Sequence, residues 1–225
     1  MEHIIYMAEF YSQAGQDYFL ENNIFKGYKN GIFMDVGAHN GVNINNTLFF
    51  EKNHGWTGIN IEPIKEVFDK LMENRPKCTN LNCAIDLIDG TAEFVCNTGY
   101  TEMLSGLKNQ YDPRHRNRMK NELKRYGGST NIIQVQTKRI ETICDEYNTK
   151  HINYLSIDVE GAEFNVIKSI NFDKVFIDVI GFENNFYDKS LFIIAYLQEK
   201  GYKMVHNSQD IFMIHKNSDF NKTSQ

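Results

Sequence analysis

Gly31-Ile32-Phe33-Met34-Asp35-Val36-Gly37-Ala38-His39-Asn40-Gly41 decides how the rest of the chain is read. Its first six residues form a short, mostly apolar run closed by a glycine, which predicts a buried strand over Gly31–Val36 that stops at Gly37. Gly37 and Gly41 then allow a sharp turn and a close approach of backbone to a ligand. Asp35 places a carboxylate near the strand's carboxyl end, where open α/β sheets bind their ligands. A dinucleotide site puts pyrophosphate on a helix N-terminus behind a GxGxxG turn, and an extra carboxylate beside it repels that anion. The spacing here is DxGxxxG, so a dinucleotide is disfavoured.

Outward from this strand, helical and strand patterns alternate. Asn43–Lys52 predicts a helix with Leu48, Phe49 and Phe50 on its apolar face, stopped by Gly55. A strand over Thr57–Ile61 leads to Glu62 and to Pro63, which suits the first turn of a helix carrying Ile64, Val67, Phe68 and Leu71. Leu81–Ile85 and Ala92–Cys96 read as short strands separated by the Asp89-Gly90 turn, and Ile132–Val135 as another. A helix over Ile140–Tyr147, a buried strand over Ile152–Ile157, a helix over Ala162–Ile170 and a strand over Val175–Ile180 follow. Ser190–Lys200 predicts a last helix, with a terminal hairpin of Tyr202–Val205 and Ile211–Ile214. The expectation is one α/β domain over residues 1–225, a doubly wound, mostly parallel sheet with an antiparallel strand at the C-terminus. Residues 1–30 are expected as an N-terminal lead. Residues 99–130, rich in Arg and Lys, are expected as a basic helical insertion with a helix over 112–126.

The net charge of -5 argues against a protein that binds nucleic acid by neutralising phosphates. No apolar run approaches the roughly 20 residues that span a bilayer. Met1–Phe10 has neither a basic n-region nor an apolar h-region, so no signal peptide is expected. The four cysteines form no CxxC pair, which favours buried thiols, no zinc site and a cytoplasmic setting.

Glu62, at the second strand's end, is placed to accept hydrogen bonds from both hydroxyls of a ribose. S-adenosylmethionine carries a sulfonium and an ammonium and no phosphate, and suits Asp35 directly or through water. Cys83, Ala84 and Ile85 would line the adenine slot. The competing reading has Asp35 capping its loop, Glu62 capping the next helix, and the three slot residues as plain core.

An ordered set of words makes the chain resemble the FkbM family of methyltransferases. These are Ser12-Gln13 with Gln16-Asp17, Phe33–Gly41, Asn46-Thr47-Leu48-Phe49-Phe50-Glu51, Gly55-Trp56-Thr57-Gly58, Ile61-Glu62-Pro63, and Ile157-Asp158-Val159-Glu160-Gly161-Ala162-Glu163. The resemblance implies a seven-stranded, Rossmann-like class I methyltransferase fold, and members commonly methylate hydroxyls of sugars or related metabolites. It places the cofactor at Asp35, Gly37, His39, Gly41 and Glu62. With their neighbours Ala38 and Pro63, the slot residues Cys83 and Ala84, and Asp158 and Glu160, these form the expected cofactor set. Met103-Leu104-Ser105-Gly106 also resembles the family's cofactor-facing loop, which adds Ser105.

A sugar hydroxyl is a poor nucleophile and needs a base, a metal or both. Asp158 and Glu160, then Glu183 and Asn184, stand at later strand ends. Asp158, Glu183 and Asn184 resemble the magnesium triad of catechol-type O-methyltransferases, in which oxygen ligands hold a hard cation. The metal-free version uses Asp158 or Glu183 as base. His39 would orient the cofactor or act as base, or serve only as a turn residue. Glu163 reads as a helix-start acid favoured by the macrodipole. His115, His206 and His215 give no sign of a shared site. Arg114 and Arg116 would hold an anionic part of the acceptor, such as the diphosphate of a nucleotide sugar, or form a solvated face. The expected partner is thus a small-molecule or glycan acceptor, with a homodimer left open. The rival functions are methyl transfer to a phenol, lipid or amine, a cofactor-binding protein without chemistry, and a nicotinamide-dependent oxidoreductase.

Overall fold

The computed structural model describes residues 9–224, so the reading of Met1–Ala8 falls outside it. Two sheets organise the chain. The larger has seven strands: β1 (Ile32–Val36), β2 (Thr57–Ile61), β3 (Thr79–Leu81), β8 (His151–Ile157), β9 (Phe176–Glu183), β10 (Tyr202–Asn207) and β11 (Asp210–His215). Their order is β10-β11-β9-β8-β1-β2-β3. β1, β2, β3, β8 and β9 run parallel, and β11 is antiparallel to both of its neighbours. The expected class is therefore observed. The chain winds from β1 outward to β3, then returns to β8 on the other side of β1. The carboxyl ends of β1 and β8 thus flank the topological switch point, where ligands bind in such sheets.

Both sheet faces are covered. Period-two alternation sends Met34 and Val36 of β1 into one core, where Ile140 and Ile143 of α5 (Ile140–Glu146), Val166 and Ile167 of α6 (Glu163–Lys168), and Ile193 and Leu197 of α7 (Tyr187–Glu199) pack. Phe33 faces the opposite, aromatic core, with Phe49 and Phe50 of α2 (Leu48–His54), Trp56, Tyr154 and Phe212. Of the expected 1–30 lead, the described part from residue 9 onward contributes to this second core. α1 (Gln16–Leu20) runs into a π-helical turn over Glu21–Phe25, and Leu20, Ile24 and Phe25 are buried there.

The second sheet is not in the sequence reading. The expected Leu81–Ile85 strand is split: β3 ends at Leu81 in the large sheet, and β4 (Ala84–Ile85) begins another. Its order is β4-β7-β5-β6, with β5 (Gly90–Asn97), β6 (Gly106–Leu107) and β7 (Thr130–Lys138). β5 and β7 pair antiparallel from Gly90↔Thr137 to Asn97↔Thr130. Between β6 and β7 lies α4 (Pro113–Tyr126), started by Pro113 and by Asp112, whose carboxylate accepts from the Arg114 amide. Among the described residues no helix is long and apolar enough to cross a membrane.

Candidate active site

Two cavities meet at the switch point. The first lies between the turn after β1, the end of β2 and the small sheet, and holds about 690 Å³ of free space open on one side. Ile61, Ile64, Cys83, Ile85, Phe94 and Leu107 make its apolar wall, while Glu62, Glu102, Asp158 and Glu160 bring carboxyl groups to it. Among the described residues no Lys or Arg lines it. An apolar slot with an acidic rim suits a cationic nucleoside and repels a pyrophosphate. The second cavity, on the other side of Asp158, is lined by amides and acids, among them Gln16, Asn46, Asn185, Glu183 and Asp210. Asp158 lines both.

Gly37 makes this closeness of the strand ends feasible. Its φ is +90°, and a Cβ there would collide with the carbonyl oxygen of Asp158. The Asp158 amide in turn donates to the Val36 carbonyl at 2.9 Å. His39, with φ +50°, and Glu160, with φ +54°, also hold left-handed backbone, an uncommon and costly state for non-glycine residues.

The expected cofactor residues separate into two groups. Gly37, His39, Glu62, Pro63, Cys83, Ala84, Ser105, Asp158 and Glu160 line the first cavity. Asp35, Ala38 and Gly41 do not. Alternation along β1 turns Asp35 to the face opposite Val36, where Asn45 Nδ2 and Thr47 Oγ1 each donate to its Oδ2 at 2.9 Å. Asp35 therefore braces the turn from behind. Glu62 combines two of the expected roles: it lines the cavity and accepts from the Ile64 amide at 2.7 Å, at the start of α3 (Lys65–Asn74). Burial pushes its carboxyl up to about 7, against the backbone hydrogen bonds from Ile64 and His39.

His39 Nε2 lies 2.9 Å from Glu102 Oε1, which ties the β1 turn to the 3₁₀ helix Gly99–Leu104 across the cavity. Ser105 Oγ donates to the Glu102 carbonyl at 2.5 Å and accepts from the Asn97 amide at 3.0 Å, so it secures the same segment.

Asp158, Glu160 and Glu183 bring one oxygen each to within 4.8 Å of one another. Burial raises all three carboxyls; repulsion from Asp158 adds to it at Glu160 and Glu183, while at Asp158 the added repulsion comes from Asp210, Glu163 and Asp35. Asn185 Nδ2 joins the group, donating to Glu160 Oε2 at 3.2 Å and to Glu183. Asp158, Glu183 and Asn184, the trio expected for Mg²⁺, all line the second cavity, but the Asn184 carboxamide is engaged elsewhere: it donates to Asn207 Oδ1 and the Ser208 carbonyl, and its Oδ1 accepts from Ser190. Glu163 accepts from the Gly161 amide at 2.8 Å, at the start of α6.

His115 comes from α4 to Glu160, Nδ1 to Oε2 at 3.2 Å, which corrects the reading that it shares no site. Flanked by Arg114 and Arg116 in the sequence, His115 gives no sign of this; only the fold of α4 over Glu160 does. Arg114 and Arg116 line neither cavity. Arg114 pairs with Asp112 and Asp188 and lies 4.0 Å from the Phe186 ring centroid. Arg116 donates to the Lys108 carbonyl at 3.2 Å beside a separate outer groove. The second cavity's amides were also missed as a group, because residues 13–16, 46, 185 and 209 meet only in three dimensions.

The chain's similarity to known proteins agrees with this geometry. The methyltransferase FkbM domain model matches residues 35–204. Among solved structures, a methyltransferase FkbM from Methylobacillus flagellatus is 11% identical with a TM-score of 0.50, over 82% of this chain and 43% of that one. This chain thus spans less than half of that protein's length. A TehB-like S-adenosylmethionine-dependent methyltransferase from Corynebacterium glutamicum is 9% identical over 92% and 89% of the two chains, with a TM-score of 0.44. A precorrin-6y C5,15-methyltransferase from Geobacter metallireducens is 8% identical over 83% and 79%, with a TM-score of 0.41. No curated protein sequence matches. The family match covers most of the residues that form both strand-end sites, and the chain belongs to the FkbM-domain methyltransferases.

Proposed function

We propose that this protein transfers a methyl group from S-adenosylmethionine to a hydroxyl of a sugar or glycan. One observation carries the reading: Asp158 forms the wall between an apolar, acid-rimmed cavity and a polar, amide-lined one. A cationic nucleoside and a polyhydroxyl acceptor have opposite needs, and the two cavities meet them on either side of one carboxyl group.

In this reading Glu62 accepts the ribose hydroxyls, and Cys83, Ala84 and Ile85 pack on the base. Gly37 lets the turn approach the cofactor, while Asp35 holds that turn through Asn45 and Thr47. When bound, S-adenosylmethionine supplies a methyl group on a sulfonium, already an excellent leaving group. The protein's remaining task is to align the acceptor and take its proton. Asp158 and Glu183 stand at the acceptor side. Asp158, raised to about 7, is the one with a carboxylate form at neutral pH and receives the hydroxyl proton as the oxygen gains the methyl group, while Glu183, raised further by burial and by Asp158, holds its own proton beside it.

Calorimetric titration with S-adenosylmethionine and S-adenosylhomocysteine tests the first cavity, with Glu62→Ala expected to abolish binding and Asp35→Ala to weaken it. Sugar acceptors assayed with and without Mg²⁺ then test the second. A folded chain that binds neither cofactor form would remove this reading.

A further inference from the structure

Resting on the acceptor site just proposed, we infer that it admits uncharged polyhydroxyl compounds and rejects those with a phosphate or carboxylate near the reacting hydroxyl. The inference comes from what lines the second cavity. Asp158, Glu183 and Asp210 contribute three carboxyls, and among the described residues no Lys or Arg faces the space. The guanidinium of Arg118 acts on Glu160 and Glu183 from α4, but it bonds Glu122 Oε1 at 2.9 Å and does not line the cavity. An anionic substituent would give up its hydration here with no counterion to receive it, and the burial and crowding that keep a proton on these carboxyls disfavour any further negative charge.

The rest of the lining reads hydroxyls. A carboxamide offers both donors and an acceptor, so it can serve either role of an –OH without carrying charge. These amides are held in place by neighbours. Gln16 Nε2 donates to Asp210 Oδ1 at 3.1 Å while its Oε1 accepts from the Ala14 amide at 2.7 Å. Asn46 Nδ2 donates to Ser156 Oγ at 3.3 Å, and Asn185 is tied to Glu160 at 3.2 Å. Gln16 and Asn46 are both more than nine-tenths buried, so their orientation is fixed before an acceptor arrives.

The basic residues that would suit a nucleotide sugar, Arg114 and Arg116, stand outside this cavity and are already engaged. A finished glycan or a simple glycoside therefore fits better than a sugar nucleotide whose diphosphate sits beside the reacting ring.

The test uses pairs of acceptors that differ only in one anionic substituent: a methyl hexopyranoside with its 6-phosphate and its uronate, and a catechol with its ring carboxylate. Methyl transfer is followed as kcat/KM for each member. The neutral member of each productive pair is expected to exceed its anionic partner by at least about tenfold. Gln13→Lys, at an exposed position on the cavity's rim, should raise kcat/KM for the anionic member and so lower the ratio. An anionic acceptor used as well as its neutral partner overturns the inference while leaving methyl transfer intact. Neutral preference among phenols with no transfer to sugars keeps the charge rule and removes the sugar reading. Transfer to no pair, with S-adenosylhomocysteine still bound, removes the acceptor site itself.

Discussion

His115 Nδ1 faces Glu160 Oε2 at 3.2 Å while its Nε2 lies 3.2 Å from the Leu104 carbonyl oxygen. A carbonyl only accepts, so Nε2 holds the ring's proton and Nδ1 is left as an acceptor. Burial disfavours a charged ring and raises the Glu160 carboxyl to about 8. The proton between them at neutral pH therefore belongs to Glu160. In His115→Leu that proton loses its acceptor, which costs about 1–3 kcal/mol for a buried group. The loss should be largest near pH 6 and shrink above pH 8, where Glu160 ionises in either protein. Thermal melts of both proteins across that range check it, and a pH-independent deficit would show that the pair shares no proton.

The acidic trio predicts a stability that falls as pH rises. Burial sets the folded-state carboxyls of Asp158 and Glu160 near 7 and 8, above ordinary values of about 4. A group raised in the folded state contributes most at or below its unfolded value, and that contribution is lost as pH climbs through the folded one. Glu183→Gln keeps the shape and removes the member whose carboxyl burial and its neighbours raise furthest. Its Tm relative to the parent should rise steadily from pH 5 to pH 9, with each kcal/mol worth about 2–4 °C at this size. Glu183 holds its own proton at neutral pH, so the same variant should keep kcat within about threefold with cofactor binding retained, and a loss of about 100-fold or more would make Glu183 the base. Stability gained without activity lost would assign the base to Asp158 alone.

Gly37→Ala separates strain from collision. Gly15, with φ +78° and nothing within 4 Å of a built Cβ, pays only for its left-handed backbone, about 1 kcal/mol as alanine. Gly37 has the same kind of backbone but meets the Asp158 carbonyl. Its alanine variant must push β8 away from β1 just where both cavities meet. S-adenosylhomocysteine binding should vanish in Gly37→Ala and stay unchanged in Gly15→Ala; equal binding in the two would mean the strand ends tolerate separation.

The parts of this molecule that repeat locally were legible in its sequence. Short apolar runs capped by Gly or an acid predicted β1, β2, β8 and β9, because each is largely buried and needs no distant partner to be recognised. Glu62 and Asp158 could be placed beside the switch-point cavity on strand-end position alone. The small sheet could not, since β5 and β7 pair across some 40 residues and the break at Asn82-Cys83 leaves no mark in a five-residue apolar run. Asn43–Thr47 reads as helix but forms an Asn-braced turn, in which Asn45 Oδ1 accepts from the Thr47 and Leu48 amides. His115 stayed hidden because its partner lies 45 residues away.

Arg75 has no place in the sequence reading and yet braces the whole β1 turn. It is fully buried, paired with Glu51, and donates to the Gly41 carbonyl at 3.0 Å, Asn45 Oδ1 at 3.1 Å and Thr47 Oγ1 at 3.2 Å. Asn45 and Thr47 are the residues that hold Asp35, so one guanidinium ties α3 to the end of β1. Arg75→Met leaves Glu51 without its cation and should cost about 3–5 kcal/mol. It should also weaken S-adenosylhomocysteine binding at least about tenfold, as the turn loosens. Adding Glu51→Leu removes the stranded carboxylate and should recover most of the Tm, because an apolar pair can replace a buried ion pair at little cost. It cannot restore the three hydrogen bonds to the turn. The double variant is therefore expected to be stable and still a weak binder; recovery of affinity along with stability would reduce Arg75 to a packing residue.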